Sequence, residues 1–353
     1  MLWGPKLVSE LIANWLAEPN RHLNTEKFED PVNHPDTPVG VQPWPLGPGA
    51  AVLTFDVRST QTKAALFDTE GVMLGLSRTM IPAPTAAHDA TEALMAHVED
   101  LTTQFARDFP LVTPSATGLI AQGIVDDKEG IAILSAGLRW ANVPYKRLAE
   151  HRLRLPSSFS NVARAVGEAE FTLGAGRTHH NAMVIKLGSR IAASLFVDGR
   201  SHDAGGFAGG LGHTIVNPQG DRCVCGSRGC LQTVASSGAL LSRYTDLTGE
   251  TLAAWEDVLT LSRKGDAAAE RVWNDALDAL ALAISHVAAI LAPEAVVISG
   301  GLATIGDEFF VPLRQRVDAL LSFHRRPLLV PAMFGQNAGL IGAALRARAA
   351  TTA

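Results

Sequence analysis

All three cysteines of the 353-residue chain lie in one eight-residue segment, Cys223-Val-Cys-Gly-Ser-Arg-Gly-Cys230, and His213 precedes the first of them by ten residues. Thiolate and imidazole are the ligands that zinc prefers, and three cysteines with one histidine complete a tetrahedral shell. The two glycines inside the segment allow the tight turns that would bring the thiols to one ion. The segment therefore predicts a closed, structural zinc site formed by His213, Cys223, Cys225 and Cys230.

The alternative is that these cysteines are buried as small hydrophobic side chains in a reducing compartment. The surrounding sequence is rich in Gly, Pro and Asp, which is typical of a loop and a poor match to a core position. Three cysteines cannot form a disulfide framework. Zinc binding is thus the interpretation that the composition of the segment favours.

Composition and charge exclude several classes of protein. A net charge of −5 with 47% hydrophobic and 18% charged residues argues against a nucleic-acid coat, a collagen and a disordered chain. The first residues lack the charged start, apolar block and small-residue cleavage site of a signal peptide. The longest apolar stretch, 277–299, is interrupted by His286, Pro293 and Glu294, so we predict no membrane span. We expect a cytoplasmic globular protein.

The chain divides into an irregular start and a regular remainder. Residues 1–49 hold one amphipathic segment, Pro5–Glu18, followed by a linker rich in Asn, Asp, Pro and Gly. From residue 50, strand-like and helix-like segments alternate, which predicts an α/β protein with helices on the faces of mixed or parallel sheets. The main predicted strands are 51–55, 63–67, 117–126, 181–187, 191–197 and 295–299, and the main predicted helices are 87–109 and 267–291.

The cysteine segment resembles the hallmark of the ROK family, a group of bacterial sugar kinases and sugar-responsive repressors. The family's Glu-x-Gly-His and Cys-x-Cys-Gly-x-x-Gly-Cys-Leu-Glu stand here as Gly210-Leu-Gly-His213 and Cys223 to Gln232. Other stretches that match in order are 56–68, 161–165, 187–194, 296–303 and 340–344. The resemblance covers residue 50 to the end and implies a homodimer with the two-lobed, actin-like ATPase fold of sugar kinases. The implied lobes are 50–160 and 161–330, with a C-terminal helix in 331–353.

The sequence departs from the family pattern where the chemistry takes place. The family's Asn-Asp-Ala-Asn contains the Asp that removes a proton from the attacking sugar hydroxyl, and that position is Val162 here. A general base contributes about 10²- to 10⁴-fold to a rate, and an isopropyl group cannot replace it. The first phosphate loop becomes Arg58-Ser-Thr-Gln61, and the second, Gly188–Ser194, loses three glycines. We therefore predict no catalytic residue, and neither ATP nor Mg²⁺ as a cofactor.

The sugar pocket implied by the resemblance is altered but retained in part. Asn161 and His213 match the family, Gln232 keeps the size of the family's final Glu, and the acid that opens the hallmark is Gly210. The resemblance thus makes Asn161, His213 and Gln232 the expected substrate-binding residues. The family's adenosine-side glycine pair stands here as Gly300-Gly301, which is equally typical of a simple turn from strand to helix.

Two arginines replace glycines in the phosphate loops. Arg58 and Arg190 would face the same cleft, with Lys186 nearby, and two guanidinium groups can bind an anion such as a sugar phosphate. The alternative is that they form salt bridges with neighbouring residues or fill the empty cleft.

The N-terminal segment offers a weaker resemblance. Pro5–Glu18 is similar to the recognition helix of the family's repressors, and Val39–Leu46 is similar to the linker that follows it. A complete winged helix-turn-helix does not fit into 49 residues, and an amphipathic helix docked on the body is the alternative. Only Lys6 and Arg21 are basic before Lys27, so DNA contact is expected only if a longer N-terminus or a partner supplies the helix-turn-helix.

These observations lead to one expectation and two alternatives. The expected function is a regulator of the repressor lineage that senses a sugar or sugar phosphate in the interlobe cleft without kinase activity. The first alternative is an ATP-dependent sugar kinase with an atypical site. The second is an oligomeric scaffold that binds no small molecule.

Overall fold

The computed structural model of the protein describes residues 46–58, 61–81, 87–135 and 138–351. The predicted amphipathic segment Pro5–Glu18 lies outside the described residues, as do the linker up to residue 45 and two residues of the first loop, Ser59 and Thr60.

Strands and helices alternate through most of the described chain. The strands are β1 (Val52–Val57), β2 (Gln61–Phe67), β3 (Met73–Met80), β4 (Ala116–Ala121), β5 (Ile124–Asp126), β6 (Ile131–Ser135), β7 (Trp140–Val143), β8 (Ser157–Asn161), β9 (Ala182–Leu187), β10 (Ile191–Val197), β11 (Arg200–His202), β12 (Ala295–Ser299) and β13 (Leu328–Pro331). The helices are α1 (Ala87–Asp108), α2 (Tyr145–Leu153), α3 (Val162–Thr172), α4 (Gln232–Ala235), α5 (Ser237–Thr248), α6 (Trp255–Arg263), α7 (Ala267–Leu291), α8 (Asp307–Leu320) and α9 (Ala338–Ala350). Short 3₁₀ turns occupy Leu211–His213, Gly301–Ile305 and Gly335–Asn337.

The strands form two five-stranded sheets and one small sheet. The first sheet has the order β3-β2-β1-β4-β8, with β1, β4 and β8 parallel and β2 and β3 antiparallel. The second has the order β11-β10-β9-β12-β13, with β9, β12 and β13 parallel. Strands β1, β4 and β12 are buried along their whole length, as expected for strands covered on both faces. Strands β5, β6 and β7 form the small sheet.

Two helices connect the two large sheets. Helix α3 follows β8 of the first sheet but packs on β9 and β10, whereas α9 packs on β1, β4 and β8 and lies along α3. Small residues permit this close packing. A Cβ on Gly342 would lie 1.8 Å from the carbonyl oxygen of Ala165, and one on Gly118 would lie 2.3 Å from that of Ala343. The two helices are therefore interlocked with each other and with the first sheet.

Helix α7 forms the main cover of the second sheet's core. Its apolar face, which includes Trp273, Leu277, Leu280 and Ile284, lies in the same hydrophobic cluster as strands β9 and β12. By length and composition it is apolar enough to cross a membrane, but half of its most apolar 18-residue segment is buried inside the protein. That burial identifies it as a core helix.

The structure confirms the α/β class and most predicted elements. The predicted elements 191–197, 267–291 and 295–299 match β10, α7 and β12 residue for residue. The prediction of one strand over 117–126 is wrong, because the chain turns at Gly123 and β5 joins a different sheet from β4. Gly123 has φ +126°, and a Cβ there would lie 2.4 Å from the carbonyl oxygen of Leu134. In the C-terminal region 331–353, the helix begins at Ala338.

Candidate functional site

The carboxyl ends of β1 and β8 meet the amino-terminal ends of α3 and α9. Asp56 stands near the end of β1, Asn161 ends β8, and Val162 is the first residue of α3. A Cβ on Gly339, the second residue of α9, would lie 3.8 Å from both Asp56 Oδ2 and Val162 Cγ2. In open α/β sheets ligands bind in the crevice outside the carboxyl ends of the strands. These residues therefore border the candidate ligand cleft, which we call the strand-end site.

Asn161 serves as the N-cap of α3. Its Oδ1 accepts hydrogen bonds from the backbone N–H groups of Ala163 at 2.7 Å and Arg164 at 3.4 Å, and its Nδ2 donates to the carbonyl oxygen of Gly123 at 2.7 Å. An asparagine at this position satisfies the unpaired N–H groups of the first helical turn. Nδ2 carries two hydrogens, and since Gly123 is its one acceptor among the described residues, the second N–H is available to a ligand.

The carboxylate beside the base position belongs to Asp127, which sequence reasoning missed. Asp127 accepts hydrogen bonds from Ser160 Oγ at 2.6 Å and from the backbone N–H of Asn161 at 3.3 Å. It also pairs with Arg164, through Nη2 at 2.5 Å, and with Arg346, through Nη1 at 2.7 Å. The side chain is 7% exposed. The buried guanidinium group of Arg164 and the partly buried one of Arg346 therefore both hold this carboxylate.

Arg58 turns back on the strand that precedes it. Its Nη2 donates to Asp56 Oδ2 at 3.2 Å, because residues two apart on a strand point to the same face. Asp56 is 3% exposed, and within the described residues its Oδ1 is buried without a hydrogen-bond partner. The predicted anion-binding residue Arg58 thus has an internal counter-ion, as the salt-bridge alternative expected.

Arg190 lies in a different environment, at the hairpin turn between β9 and β10. It is exposed, and none of the carboxylates in the described ranges forms an ion pair with it. The turn is closed by a hydrogen bond from the N–H of Gly188 to the carbonyl oxygen of Arg190 at 3.2 Å, and Lys186 Nζ lies 3.8 Å from where a Cβ on Gly188 would be. The two predicted anion-binding arginines therefore have different partners and stand on different sheets.

The segment Gly210–His213 lies beside the β9–β10 hairpin turn. Gly212 packs on β10, since a Cβ there would lie 2.1 Å from the carbonyl oxygen of Ile191, next to Arg190. A Cβ on Gly210 would meet nothing within 4 Å. At the position where the family carries an acid, a Cβ would therefore have open space around it among the described residues.

The four predicted zinc ligands converge on one point. The ligand atoms of His213, Cys223, Cys225 and Cys230 all lie within 4.8 Å of one another. Cys223 Sγ is 3.6 Å from His213 Nδ1, and Cys225 Sγ is 3.6 Å from Cys230 Sγ. A tetrahedron with zinc–sulfur bonds of about 2.3 Å has edges of about 3.8 Å. The donor set and its spacing therefore fit a tetrahedral zinc ion.

Local backbone geometry explains how the cysteine segment reaches this arrangement. Gly226 has φ +94° and closes a turn in which its N–H donates to the carbonyl oxygen of Cys223 at 2.9 Å. Gly229 has φ +69°, and a Cβ there would lie 1.5 Å from the carbonyl oxygen of Asn217. Ile215 and Cys230 form an antiparallel bridge. Both glycines are thus required where the sequence predicted tight turns.

Charge and burial favour the metal-binding forms of part of this group. Desolvation lowers the pKa of His213, and the positive charge of Arg190 lowers it further, so that the imidazole is neutral near pH 7. Gln232 Nε2 donates to Cys223 Sγ at 3.2 Å, which stabilises a thiolate. The predicted substrate residue Gln232 therefore contacts a cysteine, while Arg190 was not foreseen as a neighbour of this centre.

Gly300 is required by packing. It has φ +119°, and a Cβ there would lie 1.7 Å from the carbonyl oxygen of Leu187 at the end of β9. A Cβ on Gly301 would lie 3.2 Å from the ring of Trp255. This close approach favours the interpretation of the glycine pair as a strand-to-turn junction.

Comparisons with known proteins place this geometry in context. A sequence model of the ROK family matches residues 52–350. The chain is 28% identical over 316 residues to a glucokinase of Streptomyces coelicolor, covering 83% of this chain and 96% of the relative. It is 30% identical over 214 residues to a xylose repressor of Caldicellulosiruptor bescii, covering 57% and 54%.

A solved structure shows the same fold. The crystal structure of a ROK family transcriptional regulator, a homologue of the Escherichia coli MLC protein, superposes with a TM-score of 0.75 at 26% identity, covering 86% of this chain and 78% of that one. The two large sheets joined by α3 and α9 are thus the two-lobed, actin-like fold that the sequence predicted.

Proposed function

The chain belongs to the ROK family, and we propose that it is a regulator of the repressor lineage that binds a sugar or sugar phosphate without phosphorylating it. Its relatives include both glucokinases and xylose repressors. We further propose that it acts in the cytoplasm as a homodimer, and that it contacts DNA only if a helix-turn-helix is supplied to it.

The observation that carries the proposal is the state of the carboxylates around Val162. The side chain at the base position is an isopropyl group. The neighbouring Asp127 is paired with Arg164 and Arg346, and Asp56 is paired with Arg58. Proton abstraction from a bound hydroxyl needs a carboxylate within hydrogen-bond reach that is free to accept. Internal ion pairs in this site support binding without phosphoryl transfer.

Groups that can hold a ligand remain at Asn161 and around His213. Among the described residues only Gly123 accepts from Asn161 Nδ2, which leaves its second N–H for a ligand, and the Cβ position of Gly210 has open space around it. Arg190 carries an exposed guanidinium next to that space, which suits a phosphate or carboxylate group on the ligand. Arg190 is therefore the residue that we propose distinguishes a phosphorylated sugar from a neutral one.

Zinc has a structural role in this proposal. His213, Cys223, Cys225 and Cys230 would hold the ion in a complete shell, which leaves no open position for a substrate. Such a site holds together the loop that carries His213 and positions it at the edge of the cleft.

The test is a melting-temperature measurement on the zinc-loaded protein with D-glucose, D-mannose, D-xylose, N-acetylglucosamine and the 6-phosphates of the hexoses, each with and without Mg·ATP. A ligand at about 100 times its dissociation constant adds roughly 2.7 kcal/mol of stability, which gives an easily measured shift. We expect one sugar or sugar phosphate to raise the melting temperature and Mg·ATP to leave it unchanged. A shift with Mg·ATP would favour the kinase alternative, and no shift with any compound would favour the scaffold.

A matched pair of variants tests the role of Arg190. Arg190→Gln is expected to weaken the binding of a sugar phosphate by about tenfold and to leave a neutral sugar unaffected, since it removes one charge-assisted hydrogen bond. Arg200→Gln, at an exposed arginine of β11, is the control and should change neither. Equal loss in both variants would show that the effect is general electrostatics.

A further inference from the structure

The last helix carries two arginines that reach in opposite directions. Arg346 and Arg348 are two residues apart on α9, which places them about 200° apart around the helix axis. Arg346 donates to Asp127 at 2.7 Å and to Glu168 of α3 at 3.0 Å. Arg348 reaches the other side of the helix, where residues 46–50 lead into β1.

Within the part of the chain that the structure describes, the hydrogen bonds of the Arg348 guanidinium all go to backbone carbonyl groups. Its guanidinium donates to the carbonyl oxygens of Leu46, Gly47, Ala50 and Asp68 at 2.7–3.2 Å. Burial lowers the pKa of Arg348, and the charge of Asp68 offsets part of that effect. Four acceptors from two chain segments make this a clamp rather than a surface contact.

The clamp is closely packed. A Cβ on Gly49 would lie 2.8 Å from Arg348 Nη1, and one on Gly71 would lie 2.5 Å from the carbonyl oxygen of Gly47. Leu46 is 6% exposed and belongs to the hydrophobic cluster that includes Leu340 and Ala344 of α9. A displacement of α9 would therefore displace residues 46–50 as well.

Arg346 connects the same helix to the strand-end site. Asp127, its partner, accepts the N–H of Asn161 and the hydroxyl of Ser160, directly before the base position. Helix α9 is also interlocked with α3 by the approach of Gly342 to the carbonyl oxygen of Ala165. Closely packed interfaces of this kind shift between discrete arrangements and do not deform continuously.

We propose that α9 is a relay between the strand-end site and the Arg348 clamp on residues 46–50. A change in the contacts of Asp127 at the strand-end site is transmitted through Arg346 to α9, and through α9 to the contacts that Arg348 makes with residues 46–50. Residues 46–50 connect the preceding part of the chain to β1. Their backbone order then depends on the contacts at the strand-end site. The relay does not require the ligand proposed above, because its parts are side chains of this chain alone.

The test is hydrogen exchange measured by mass spectrometry on the full chain, wild type against Asp127→Asn. The Gly49 N–H donates to the carbonyl oxygen of Thr69 and the Asp68 N–H to that of Val72, so that peptides over 46–72 report the clamp. We expect exchange in these peptides to rise by about tenfold, and exchange in α7 to remain unchanged. Asp278→Asn, which removes an ion pair with Arg316 on the surface of α7, is the control and should not affect residues 46–72.

A second variant keeps the proposal testable if Asp127→Asn does not fold. Arg346→Gln removes the charge on the same contact from the helix side and should give the same increase at 46–72. Because coupling is reciprocal, Arg348→Gln should raise exchange at 160–168. The relay is refuted if Asp127→Asn or Arg346→Gln accelerates exchange at 160–168 while residues 46–72 stay within twofold of wild type.

Discussion

The cysteine segment and the strand-end site are built on opposite principles. In the first, the ligand atoms of four side chains from residues 213–230 lie within 4.8 Å of one another, and three thiols with one imidazole are a donor set for a metal ion. In the second, the charged groups are neutralised from within, since Asp56 is paired with Arg58 and Asp127 with Arg164 and Arg346. Ligand groups that converge on one point favour a bound species, whereas charged groups that pair with each other are already satisfied without one.

The largest expected effect concerns the cysteine segment. Removal of zinc by a chelator, or Cys230→Ala, should lower the melting temperature by about 10 °C or more, because structural zinc sites contribute a large share of local folding free energy. Val224→Ala is the matched control within the segment, since Val224 is 58% exposed and should have little effect. Melting curves on protein of measured zinc content check this, and an unchanged melting temperature after complete chelation would mean that the segment does not depend on metal.

The second prediction tests whether Gly300 is required for packing. Gly300→Ala should destabilise the protein by about 3 kcal/mol or more, since it adds a side chain at a strained φ and in contact with the carbonyl oxygen of Leu187. Gly306→Ala is the control, because Gly306 also has a positive φ but nothing lies within 4 Å of its Cβ position. Denaturant titration of both variants measures the difference. Equal losses of stability in the two variants would show that packing against Leu187 does not require a glycine at position 300. The interpretation of Gly300 as part of a ligand site would then be favoured.

The third prediction concerns Val162, the residue at the base position of the strand-end site. Val162→Asp should fold and be as stable as wild type or slightly more so, by about 0.3–1 kcal/mol, because a carboxylate is favoured at the first turn of a helix. The same variant should release no ADP from Mg·ATP and D-glucose, since the phosphate loops still carry Arg58 and Arg190. Val162→Asn controls for size without charge. ADP release by Val162→Asp alone would show that a single residue separates this chain from a kinase.

The smallest effect lies outside both regions, at Glu294. This carboxylate accepts the N–H groups of His180 at 2.7 Å and Asn181 at 3.3 Å, and chiefly the first of these bonds lowers its pKa below the usual 4.5. A folded-state pKa below the unfolded value adds stability above the unfolded pKa, and that stability is lost as the pH falls through the folded pKa. Glu294→Gln should therefore lower the melting temperature near pH 7, and the difference from wild type should shrink below about pH 4.5.

The control for this prediction is Glu70→Gln, at an exposed glutamate of the β2–β3 turn. It should follow the wild-type curve across the same pH range. A constant difference between Glu294→Gln and wild type from pH 7 to pH 3.5 would show that the N–H bonds to Glu294 do not depend on its charge.

The two regions also differ in how far the sequence predicted them. The cysteine segment was predicted as a ligand set because its spacing is local, and the turns at Gly226 and Gly229 follow from residue type. The partners at the strand-end site depend on contacts between distant parts of the chain. Asp127 and Arg164 are 37 residues apart, and Asp127 and Arg346 are 219 apart, so that no short-range pattern connects them.

Some of the missed contacts did carry a signal. Asp56 and Arg58 directly follow the predicted strand 51–55 and are two residues apart, so that an extension of the strand through them would place both on the same face. Strand β10, helix α7 and strand β12 were predicted at their exact ends because their apolar periodicity is uninterrupted. The split between β4 and β5 was missed because a single glycine in an apolar run does not by itself show a change of sheet.

We propose that the cleft of this protein binds a sugar compound without transferring phosphate to it. Phosphorus NMR of the zinc-loaded protein, incubated with Mg·ATP and the panel of sugars, tests this proposal because it detects every sugar phosphate and all ADP formed. We expect ATP to remain intact and no sugar phosphate signal to appear above that of a sample without protein. A growing sugar phosphate signal matched by ADP would show that the protein is a sugar kinase.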